Sequence, residues 1–553
     1  MPLAHPRIIC VMKVGFAQLN ATVGDLRGNF EKIVQSYERL AAAGAELIVT
    51  PELAITGYPP QDLVFKSRFV PETLEIVEEL HRRIGKAALL VGFVDRNEGR
   101  GRPFHNAAAL LAPGEPIRKA HKSLLPTYDV FDEDRYFQPA ARVEPFDLNG
   151  KKIGVTICED IWTEHYLPRP LYDCEPTRSL IEQGADVILN LSASPFTLHK
   201  PAIRYEMVAT LARTYKRPIF YCNAVGGNDQ LIFDGNSIAV NASGGLIAQL
   251  PAFREHEQIV DSDSTTAVEF RDESTPEQLF PALSLGLRDY LRKCNFKSAV
   301  LGLSGGVDSA VVAVIAADAL GAENVVGVSM PSQYSSHGSI DDAKKLAKNL
   351  GIKLLHIPIA EMFAVFKGQF KEVFSGLPEN ETEENMQPRL RAMTLMALSN
   401  KFGHLVLSTG NKSELSVGYC TIYGDMAGGL AVISDVPKTM IYELARWINR
   451  QKEIIPGSTI EKPPSAELKP NQKDQDTLPP YEKLDEILRL YVEDNLSARD
   501  IIGRGFDEKT VRWVQRRVDL NEYKREQAAP GLKVTSRAFG LGRRMPIAQK
   551  YVD

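Results

Sequence analysis

The stretch LGLSGGVDS, residues 301–309, decides the fold of the second half of this chain. An apolar strand leads into it, and an apolar helical pattern, AVVAVIAADAL, follows at once. Glycines let a backbone approach an anion closely, and a helix N-terminus directs N–H groups and positive partial charge towards that anion. The turn Ser304-Gly305-Gly306-Val307-Asp308-Ser309 is therefore predicted to cradle phosphate, with Asp308 able to hold a divalent cation. The competing interpretation is a glycine turn in which Ser309 or Asp308 merely caps the helix.

After this turn the sequence alternates regularly between strands and helices. Apolar strands are predicted at residues 324–331, 353–359 and 404–410, with helices at 308–320, around 341–350 and at 389–402. Strands separated by helices form parallel sheets, which bind ligands at the carboxyl ends of the strands. We therefore predict a doubly wound parallel sheet of the α/β class.

The first half of the chain is richer in strands. They are predicted at residues 13–20, around 89–94, and at 106–112, 152–158, 186–194, 217–225 and 236–245. Hairpins among them predict mixed sheets stacked on each other rather than one purely parallel sheet.

A polar segment at residues 261–278 contains few large apolar residues and separates the two patterns. A chain of 553 residues is also too long for a single core. We expect a first domain over residues 12–262, a linker over 263–276 and a second domain over 277–553. Residues 1–11 precede the first strand and are expected to form an extended tail.

The composition excludes several classes of protein. The net charge of −5 gives no argument for nucleic-acid binding by the whole chain, and the six cysteines form no CxxC pair. Scattered cysteines indicate a reducing compartment without a disulfide framework or a zinc knuckle. No apolar run reaches the roughly 18 residues that span a bilayer, and no signal peptide is recognisable. We therefore expect a cytoplasmic protein.

Three residues of the first half could together hydrolyse an amide. Glu52 follows a strand in VTPELAITGYPP, Lys122 lies in RKAHKSLLPTYDVFDE, and Cys158 ends a strand in GVTICEDIW. A free thiol titrates near ~8.5, so a neighbouring base and cation help it to act as a nucleophile. An ammonium can also stabilise the oxyanion of the intermediate. Taken singly, the three residues are as readily a buried cysteine, a solvated glutamate and a surface lysine.

These three segments resemble the catalytic motifs of the nitrilase superfamily, and the likeness covers about residues 12–260. The resemblance implies an αββα sandwich with a Glu-Lys-Cys triad. In that triad Cys158 is the nucleophile, Glu52 the general base and acid, and Lys122 the residue that stabilises the intermediate. The resemblance also implies a glutamine pocket lined by Tyr128, Ser194 and Lys200.

Further segments of the second half offer ligands for a nucleotide. ENMQPRLR places two arginines, of which Arg389 is the first, at the start of a helix, with Asn385 just before it. Thr409 ends a strand, Glu414 follows as a candidate second metal ligand, and Lys438 lies in DVPKT. The tail 512–550 holds ten Lys or Arg against three Asp or Glu. It is interpreted as a solvated helix face, a nucleic-acid patch or a clamp on the phosphates of a dinucleotide.

The glycine turn resembles the PP-loop of ATP pyrophosphatases, which split ATP into AMP and pyrophosphate. The ordered segments ENMQPRLR, STGNKSE, YGD, VPKT, KREQAAPG and SRAFGLGRRMPI resemble NAD synthetases over about residues 275–553. With its first half, the chain resembles the glutamine-dependent NAD synthetases of bacteria, and it departs from their ammonia-only relatives at Ile422 and Tyr523. This resemblance assigns ATP to the glycine turn, Thr409 and Lys438, Mg²⁺ to Asp308 and Glu414, and deamido-NAD to Asn385, Arg389, Glu414 and Lys524.

The implied reaction amidates deamido-NAD to NAD, using ATP and the ammonia released from glutamine. Two alternatives stay open. In one, the nitrilase-like half is a non-catalytic docking domain and free ammonia is the nitrogen source. In the other, the chain is an RNA-modifying PP-loop enzyme.

Three expectations concern the assembly of the enzyme. Ammonia becomes mostly ammonium in water at pH 7, so we expect a channel that joins the two active sites. The resemblance implies a homo-oligomer. The proline-rich loop 461–480 is expected to be either a lid over the ATP site or a plain surface excursion.

Overall fold

The computed structural model describes residues 12–162 and 169–551, and the chain divides into two compact units. Unit 1 contains residues up to 228 together with 232–273, and unit 2 contains 229–231 together with 274 onwards. The expected N-terminal tail, residues 1–11, lies outside the described residues. Within those residues, none of the helices is long and apolar enough to cross a membrane.

Unit 1 is built on β-strands. They are β1 Lys13–Gln18, β2 Leu47–Val49, β3 Ala88–Arg96, β4 Phe104–Leu111, β5 Arg118–His121, β6 Phe146–Leu148, β7 Lys151–Ile157, β8 Val187–Ser192, β9 Ile219–Asn223, β10 Val225–Asn228, β11 Leu231–Asp234, β12 Ile238–Val240, β13 Leu246–Gln249 and β14 His256–Asp261. They form two six-stranded mixed sheets, in the orders β14-β1-β2-β3-β4-β5 and β13-β12-β9-β8-β7-β6, and β10 pairs with β11.

The two six-stranded sheets face each other through an apolar core. Phe16 of the first sheet and Phe220 of the second stack in this core, with ring centroids 5.7 Å apart. The helices are α1 Leu26–Ala42, α2 Phe69–Arg83, α3 Pro176–Glu182 and α4 Lys200–Tyr215. Helices α1 and α2 pack on the first sheet, and α3 and α4 on the second. The αββα sandwich and its mixed sheets are thus confirmed.

Unit 2 contains a single five-stranded sheet whose strands all run parallel. The strands are β15 Ala299–Gly302, β16 Val325–Ser329, β17 Lys353–His356, β18 Leu405–Ser408 and β19 Leu430–Ala431. Their order is β17-β16-β15-β18-β19, so the direction of winding reverses beside β15. Ligands of doubly wound sheets bind where the winding reverses. The predicted fold is confirmed, with β19 as an additional strand.

Helices surround this sheet. They are α5 Thr275–Lys293, α6 Val307–Leu320, α7 His337–Leu350, α8 Ala360–Gln369, α9 Glu381–Phe402, α10 Lys412–Val417, α11 Lys438–Ile448, α12 Gly457–Glu461, α13 Tyr481–Leu488, α14 Ala498–Gly503, α15 Glu508–Leu520 and α16 Glu522–Arg525. Helix α5 begins with a capping box between Ser274 and Glu277, so regular structure resumes within the segment that the sequence predicted as a linker.

Helix α9 begins earlier than the sequence predicted. Asn380 accepts a hydrogen bond from the Thr382 N–H, and the Glu383 carboxylate accepts one from the Asn380 N–H, which together cap the helix. Pro388 then lies inside the helix rather than at its start. The prediction that Asn385 precedes the helix is therefore wrong, because this capping box adds two turns in front of the proline.

The basic tail is only partly buried in unit 2: Arg525, Lys533 and Arg543 are buried, whereas Arg512, Arg516, Arg517, Arg544 and Lys550 are exposed. Arg543 is buried and pairs with Asp519 at 3.1 Å and with Glu522 at 3.3 Å. Arg525 is also buried and pairs with Glu522 at 2.7 Å. These two cations stabilise the packing of the tail, so neither forms part of a solvated face or of an exposed patch for nucleic acid.

Candidate active sites

Cys158 lies directly after β7 in a strained turn. Its backbone has a φ of 44°, in the left-handed region that residues other than glycine seldom adopt. A short 3-10 turn, Cys158–Ile161, follows, and the thiol is buried. Such strain in a non-glycine residue is typical of functional sites. Cys158 is the first residue of this turn, so the thiol lies at the carboxyl end of β7.

Glu52 and Lys122 form a buried ion pair in the same unit. Glu52 follows β2 and Lys122 follows β5, and both side chains are 0% exposed. The Lys122 Nζ donates to Glu52 Oε1 at 2.8 Å, and the Ala193 N–H donates to Glu52 Oε2 at 2.9 Å. Two of the predicted triad residues are therefore in direct contact.

The structure adds Glu133 to this pair. Lys122 Nζ also donates to Glu133 Oε1 at 2.8 Å, so the ammonium lies between two carboxylates. The Tyr58 hydroxyl donates to the same Glu133 oxygen at 2.8 Å, and Asn106 Nδ2 donates to Glu52 Oε1 at 2.6 Å. Sequence reasoning missed Glu133. Its signal was a glutamate at the end of YDVFDE, in the same segment as Lys122.

The charges of this cluster set its protonation states. Burial opposes the charge of Lys122, but the attraction of Glu133 and Glu52 outweighs it and raises the Lys122 pKa well above its usual range. Burial raises the pKa of Cys158 well above its usual range, and Glu52 raises it further, while Lys122 lowers it. Burial raises the pKa of Glu133 to about 7, against the lowering effect of Lys122. The raised pKa of Cys158 favours a neutral thiol, and the raised pKa of Lys122 favours a charged ammonium.

A second polar group adjoins the thiol. The Tyr128 hydroxyl donates to Glu159 Oε1 at 2.7 Å, and the Tyr172 hydroxyl donates to the same atom at 3.2 Å. Glu159 is buried, and burial raises its pKa, which the charge of nearby Lys200 lowers. The structure therefore places Tyr128 and Lys200 near Glu159, the residue that follows Cys158.

The third residue predicted for the glutamine pocket, Ser194, follows Ala193 on the segment after β8. Its side chain is buried, and its N–H donates to the Asn223 side-chain oxygen at 2.9 Å. Because Ala193 donates to Glu52, this segment also lies beside the triad.

The glycine turn of unit 2 connects β15 to α6, as predicted. Gly306 caps α6, and Gly305 has a φ of 79°. A Cβ at Gly305 would lie 2.3 Å from the Ser339 carbonyl oxygen, so only glycine fits at this position. The Ser304 hydroxyl accepts from the Gly306 N–H at 3.1 Å, and the Ser309 hydroxyl donates to the Gly306 carbonyl at 3.0 Å. The turn is compact and opens a helix of 14 residues.

Asp308, Glu414 and Lys438 meet at this turn. Lys438 Nζ lies 2.6 Å from Asp308 Oδ2 and 3.1 Å from Glu414 Oε1. Asn411, which the sequence reasoning missed, donates from Nδ2 to Asp308 Oδ1 at 2.9 Å and caps α10 in front of Glu414. Burial raises the pKa of Glu414 to about 7, while Lys438 lowers it and Asp308 raises it. Asp308 and Glu414, the two predicted metal ligands, therefore lie on either side of the Lys438 ammonium.

These two carboxylates fit Mg²⁺. In the described parts of the chain, no group of three or more His, Cys, Asp or Glu side chains could hold a metal. Mg²⁺ is usually bound by one or two carboxylates together with substrate phosphates and water rather than by an all-protein cage. A carboxylate pair at a phosphate-binding turn matches that preference.

A cavity of about 560 Å³ opens over the turn. The predicted residues that line it are Ser304, Gly306, Val307, Asp308, Ser309, Asn385, Thr409, Glu414, Lys438 and Lys524. Lys524 also donates to the carbonyl oxygens of Gly418 at 2.7 Å and of Cys420 at 2.8 Å. The cavity is thus lined by residues predicted to bind ATP and by residues predicted to bind deamido-NAD, apart from Gly305 and Arg389.

Arg389 does not line this cavity. It is exposed, and its Nε donates to the Ile422 carbonyl oxygen at 3.2 Å. Arg391, two residues further along α9, lines the cavity instead and donates to the Met330 carbonyl oxygen at 3.2 Å. Burial lowers the pKa of Arg391 to about 10.

The proline-rich loop also lines the cavity, through residues 462–469 together with Gln472, Asp474 and Thr477. The Glu467 carboxylate accepts from the hydroxyls of Ser336 at 2.9 Å and Ser339 at 2.8 Å, both at the start of α7. The Gln387 side chain donates to the Leu468 carbonyl oxygen at 2.9 Å. The loop is therefore part of the wall of this cavity, and its role as a lid over ATP stays a prediction.

Known protein families match both units. The carbon-nitrogen hydrolase model matches residues 13–272, and the NAD synthase model matches residues 279–528. A glutamine-dependent NAD(+) synthetase of Synechocystis sp. is 49% identical over 550 residues, which is 97% of this chain and 99% of that relative. Another, of Thermotoga maritima, is 45% identical over 584 residues, covering 98% of this chain and 99% of the relative.

Two solved structures are similar along almost their whole length. The glutamine-dependent NAD+ synthetase of Acinetobacter baumannii, in complex with adenosine diphosphate, has a TM-score of 0.78 at 38% identity and covers 97% of this chain and 98% of its own. That of Cytophaga hutchinsonii has a TM-score of 0.82 at 25% identity and covers 98% of both chains.

Proposed function

The chain belongs to the family of glutamine-dependent NAD(+) synthetases, and we propose that its two sites divide the reaction between them. Such an enzyme is a carbon–nitrogen ligase that uses ATP, glutamine and deamido-NAD as substrates. Unit 1 releases ammonia from glutamine at Cys158, and unit 2 activates deamido-NAD with ATP at the glycine turn. The observation that carries this division is the buried ammonium of Lys122, held between Glu52 and Glu133 beside the Cys158 thiol.

Glutamine hydrolysis begins with a proton transfer. Because Cys158 rests as a neutral thiol, the thiol must lose its proton as it attacks the amide carbon of glutamine. Glu52 receives that proton and passes it to the leaving nitrogen, so that ammonia departs and a thioester remains. Lys122 stabilises the negative charge that develops on the amide oxygen. Water then cleaves the thioester to glutamate, with Glu52 again acting as the base.

The groups around Cys158 fit the two charges of glutamine. Lys200 would bind the α-carboxylate, and the buried Glu159 would accept hydrogen bonds from the α-ammonium. Tyr128 fixes Glu159 through its hydroxyl, and Ser194 completes the pocket. This arrangement favours a free amino acid over a simple amide, because a simple amide has no ammonium to donate hydrogen bonds to the buried Glu159.

At the second site the nicotinate carboxylate of deamido-NAD attacks the α-phosphorus of ATP. Pyrophosphate departs, and an acyl adenylate forms. Ammonia attacks its carboxyl carbon and AMP leaves, giving NAD. The N–H groups of the glycine turn and Lys438 would bind the phosphates, and Thr409 would contact ATP. Bound by Asp308 and Glu414, Mg²⁺ would neutralise charge on the pyrophosphate.

Deamido-NAD would lie in the same cavity, against Asn385, Glu414 and Lys524. Arg389 is exposed on α9 and lines no part of this cavity, so Arg391 is the better candidate for a contact with the substrate. A substrate anion would offset the charge of Arg391, whose burial is unfavourable.

The enzyme would act as a homo-oligomer in the cytoplasm. Several large apolar side chains on α8, on α9 and between them are exposed: Val365, Phe366, Val373, Leu377, Met393 and Phe402. Contact with a second copy would bury side chains of this kind. Light scattering on the purified protein measures its mass directly. The cysteines among the described residues are all free, which fits a reducing compartment.

One comparison separates the proposed function from its alternatives. Pyrophosphate release is followed with ATP and glutamine, using either deamido-NAD or transfer RNA as the acceptor. We expect pyrophosphate release only when deamido-NAD is the acceptor, whether glutamine or ammonium supplies the nitrogen. Release that needs transfer RNA, or none with glutamine, would contradict the proposal.

A further inference from the structure

Asp160 is a buried carboxylate that the reaction described above does not use. Only 3% of its surface is exposed. Its Oδ1 accepts hydrogen bonds from the N–H groups of Ser123 at 2.9 Å and Leu124 at 2.8 Å, and its Oδ2 accepts one from the Ile157 N–H at 3.0 Å. A carboxylate that accepts several backbone N–H groups is stabilised in its charged form. In Asp160 burial raises the pKa to about 6, although the three hydrogen bonds lower it.

The three N–H groups come from both catalytic segments. Ser123 and Leu124 directly follow Lys122, and Ile157 directly precedes Cys158. These segments extend from different sheets, because β5 is the edge strand of the first sheet and β7 belongs to the second. One carboxylate therefore joins the turn of the nucleophile to the segment of its cation, across the two layers of the sandwich.

Resting on the proposed roles of Cys158 and Lys122, we propose that Asp160 is a positioning residue for glutamine hydrolysis. It sets the separation and orientation of the Lys122 ammonium and the Cys158 thiol. The left-handed backbone of Cys158 needs such support, since that conformation is unfavourable for a residue with a side chain. Lys122 also bonds through its backbone to Asn106 and Ala140, and a shift of the segment that follows it would move the ammonium relative to the thiol.

Asparagine at position 160 gives the sharpest test. Its side chain has the shape of aspartate, but one of its two polar atoms becomes a donor and cannot accept from a backbone N–H. In Asp160→Asn the bond to Ile157, or the two bonds to Ser123 and Leu124, is therefore lost. The matched control is Asp186→Asn. Asp186 Oδ2 accepts from the Lys152 N–H at 2.9 Å, at the opposite end of β7 from Cys158.

Four quantities are measured for the full chain: kcat and KM for glutamine hydrolysis, NAD formation from ammonium, and the thermal midpoint. A misplacement of about 1 Å can lower a rate about 100-fold. We expect kcat for glutamine to fall about 10- to 100-fold in Asp160→Asn, with KM changed less than about threefold. NAD formation from ammonium should not change. Asp186→Asn should leave every kinetic quantity within about twofold.

Alkylation of Cys158 separates positioning from a general loss of stability. Iodoacetamide labelling is followed against pH by mass spectrometry of the Cys158 peptide, which distinguishes it from the other cysteines. Lys122 lowers the pKa of the thiol, so a displaced ammonium should move the midpoint of labelling to higher pH in Asp160→Asn. The control should keep the midpoint of the unmodified enzyme.

The outcomes are exclusive. A normal kcat for glutamine in Asp160→Asn, or an unchanged labelling midpoint, would overturn the inference.

If Asp160→Asn does not fold, Asp160→Glu is measured in the same way. A folded Asp160→Glu with reduced kcat supports positioning, whereas normal activity, or failure of both variants to fold, assigns Asp160 to stability alone and overturns it. Failure of the underlying proposal is distinguishable, because Cys158→Ala would then still hydrolyse glutamine.

Discussion

Glu133→Gln tests the electrostatic account of the glutaminase site in most detail. The substitution preserves the shape of the side chain and one oxygen that can accept from both Lys122 and Tyr58. It removes the negative charge on one side of the buried ammonium. Glu133→Ala is a poorer choice, because breaking a buried ion pair costs about 3–5 kcal/mol of stability and would confuse folding with function.

The size of the effect follows from the two bonds at Glu133 Oε1, each 2.8 Å long. Hydrogen bonds to charged groups contribute about 1.5–3 kcal/mol, against about 0.5–1.5 kcal/mol for neutral ones. The substitution makes the Tyr58 bond neutral and leaves the Lys122 bond with one charged partner instead of two, which together weaken the hold on Lys122 by about 2–3 kcal/mol. If that loss falls on the transition state, kcat for glutamine decreases about 30- to 150-fold, since 1.36 kcal/mol corresponds to a factor of ten.

The pH dependence of glutamine hydrolysis provides a second test of the role of Glu133. Burial raises the pKa of Glu133 to about 7, so this group loses its charge as the pH falls through that value. In the unmodified enzyme, glutamine hydrolysis should therefore weaken as the pH decreases through about 7. Glutamine at position 133 does not titrate, and its profile should lack this step.

The assay measures glutamate release and NAD formation from ammonium on the same preparation. Ammonium-dependent NAD formation is the internal control, because it does not use the first site. A Glu133→Gln enzyme with kcat for glutamine within about twofold of the unmodified enzyme, and the same pH profile, would refute the role of the second carboxylate.

Two further predictions concern the second site and the link between the sites. Asp308→Asn and Glu414→Gln should each lower NAD formation from glutamine and from ammonium by at least about tenfold, because each removes a charged ligand worth about 1.4 kcal/mol or more. A higher Mg²⁺ concentration should partly restore the rate. Normal activity with ammonium in either variant would show that the substituted residue does not belong to the metal site. With unlabelled glutamine and excess ¹⁵N-ammonium, a channel predicts far less label in the NAD amide than mixing of the two pools would give, whereas full equilibration would contradict it.

The triad and the glycine turn were predictable because each lies beside a strong local signal. Glu52 and Cys158 follow apolar strands, and strand ends are where sheets place their ligands, whereas Lys122 follows the polar strand RKAH and was predicted only from the likeness of its motif. The glycine turn lies between a strand and a helix, so the nine residues of 301–309 suffice to define it.

Residues that act across the fold were not predictable in this way. Glu133, Asp160 and Asn411 are ordinary polar residues in sequence, and their roles depend on contacts with segments up to 103 residues away. Arg389 and Arg391 show the same limit at short range. They are two residues apart on α9, and only the position of that helix against the cavity decides which of them lines it.

The amide nitrogen of glutamine should reach NAD only through Cys158, at a site separate from that of ATP. Cys158→Ala tests it when supplied with amide-¹⁵N glutamine in one reaction and with ¹⁵N-ammonium chloride in another. The label in NAD is measured by mass spectrometry. We predict no label from glutamine and a rate from ammonium close to that of the unmodified enzyme. Label from glutamine at a normal rate would contradict the account, as would loss of the ammonium reaction in a folded protein.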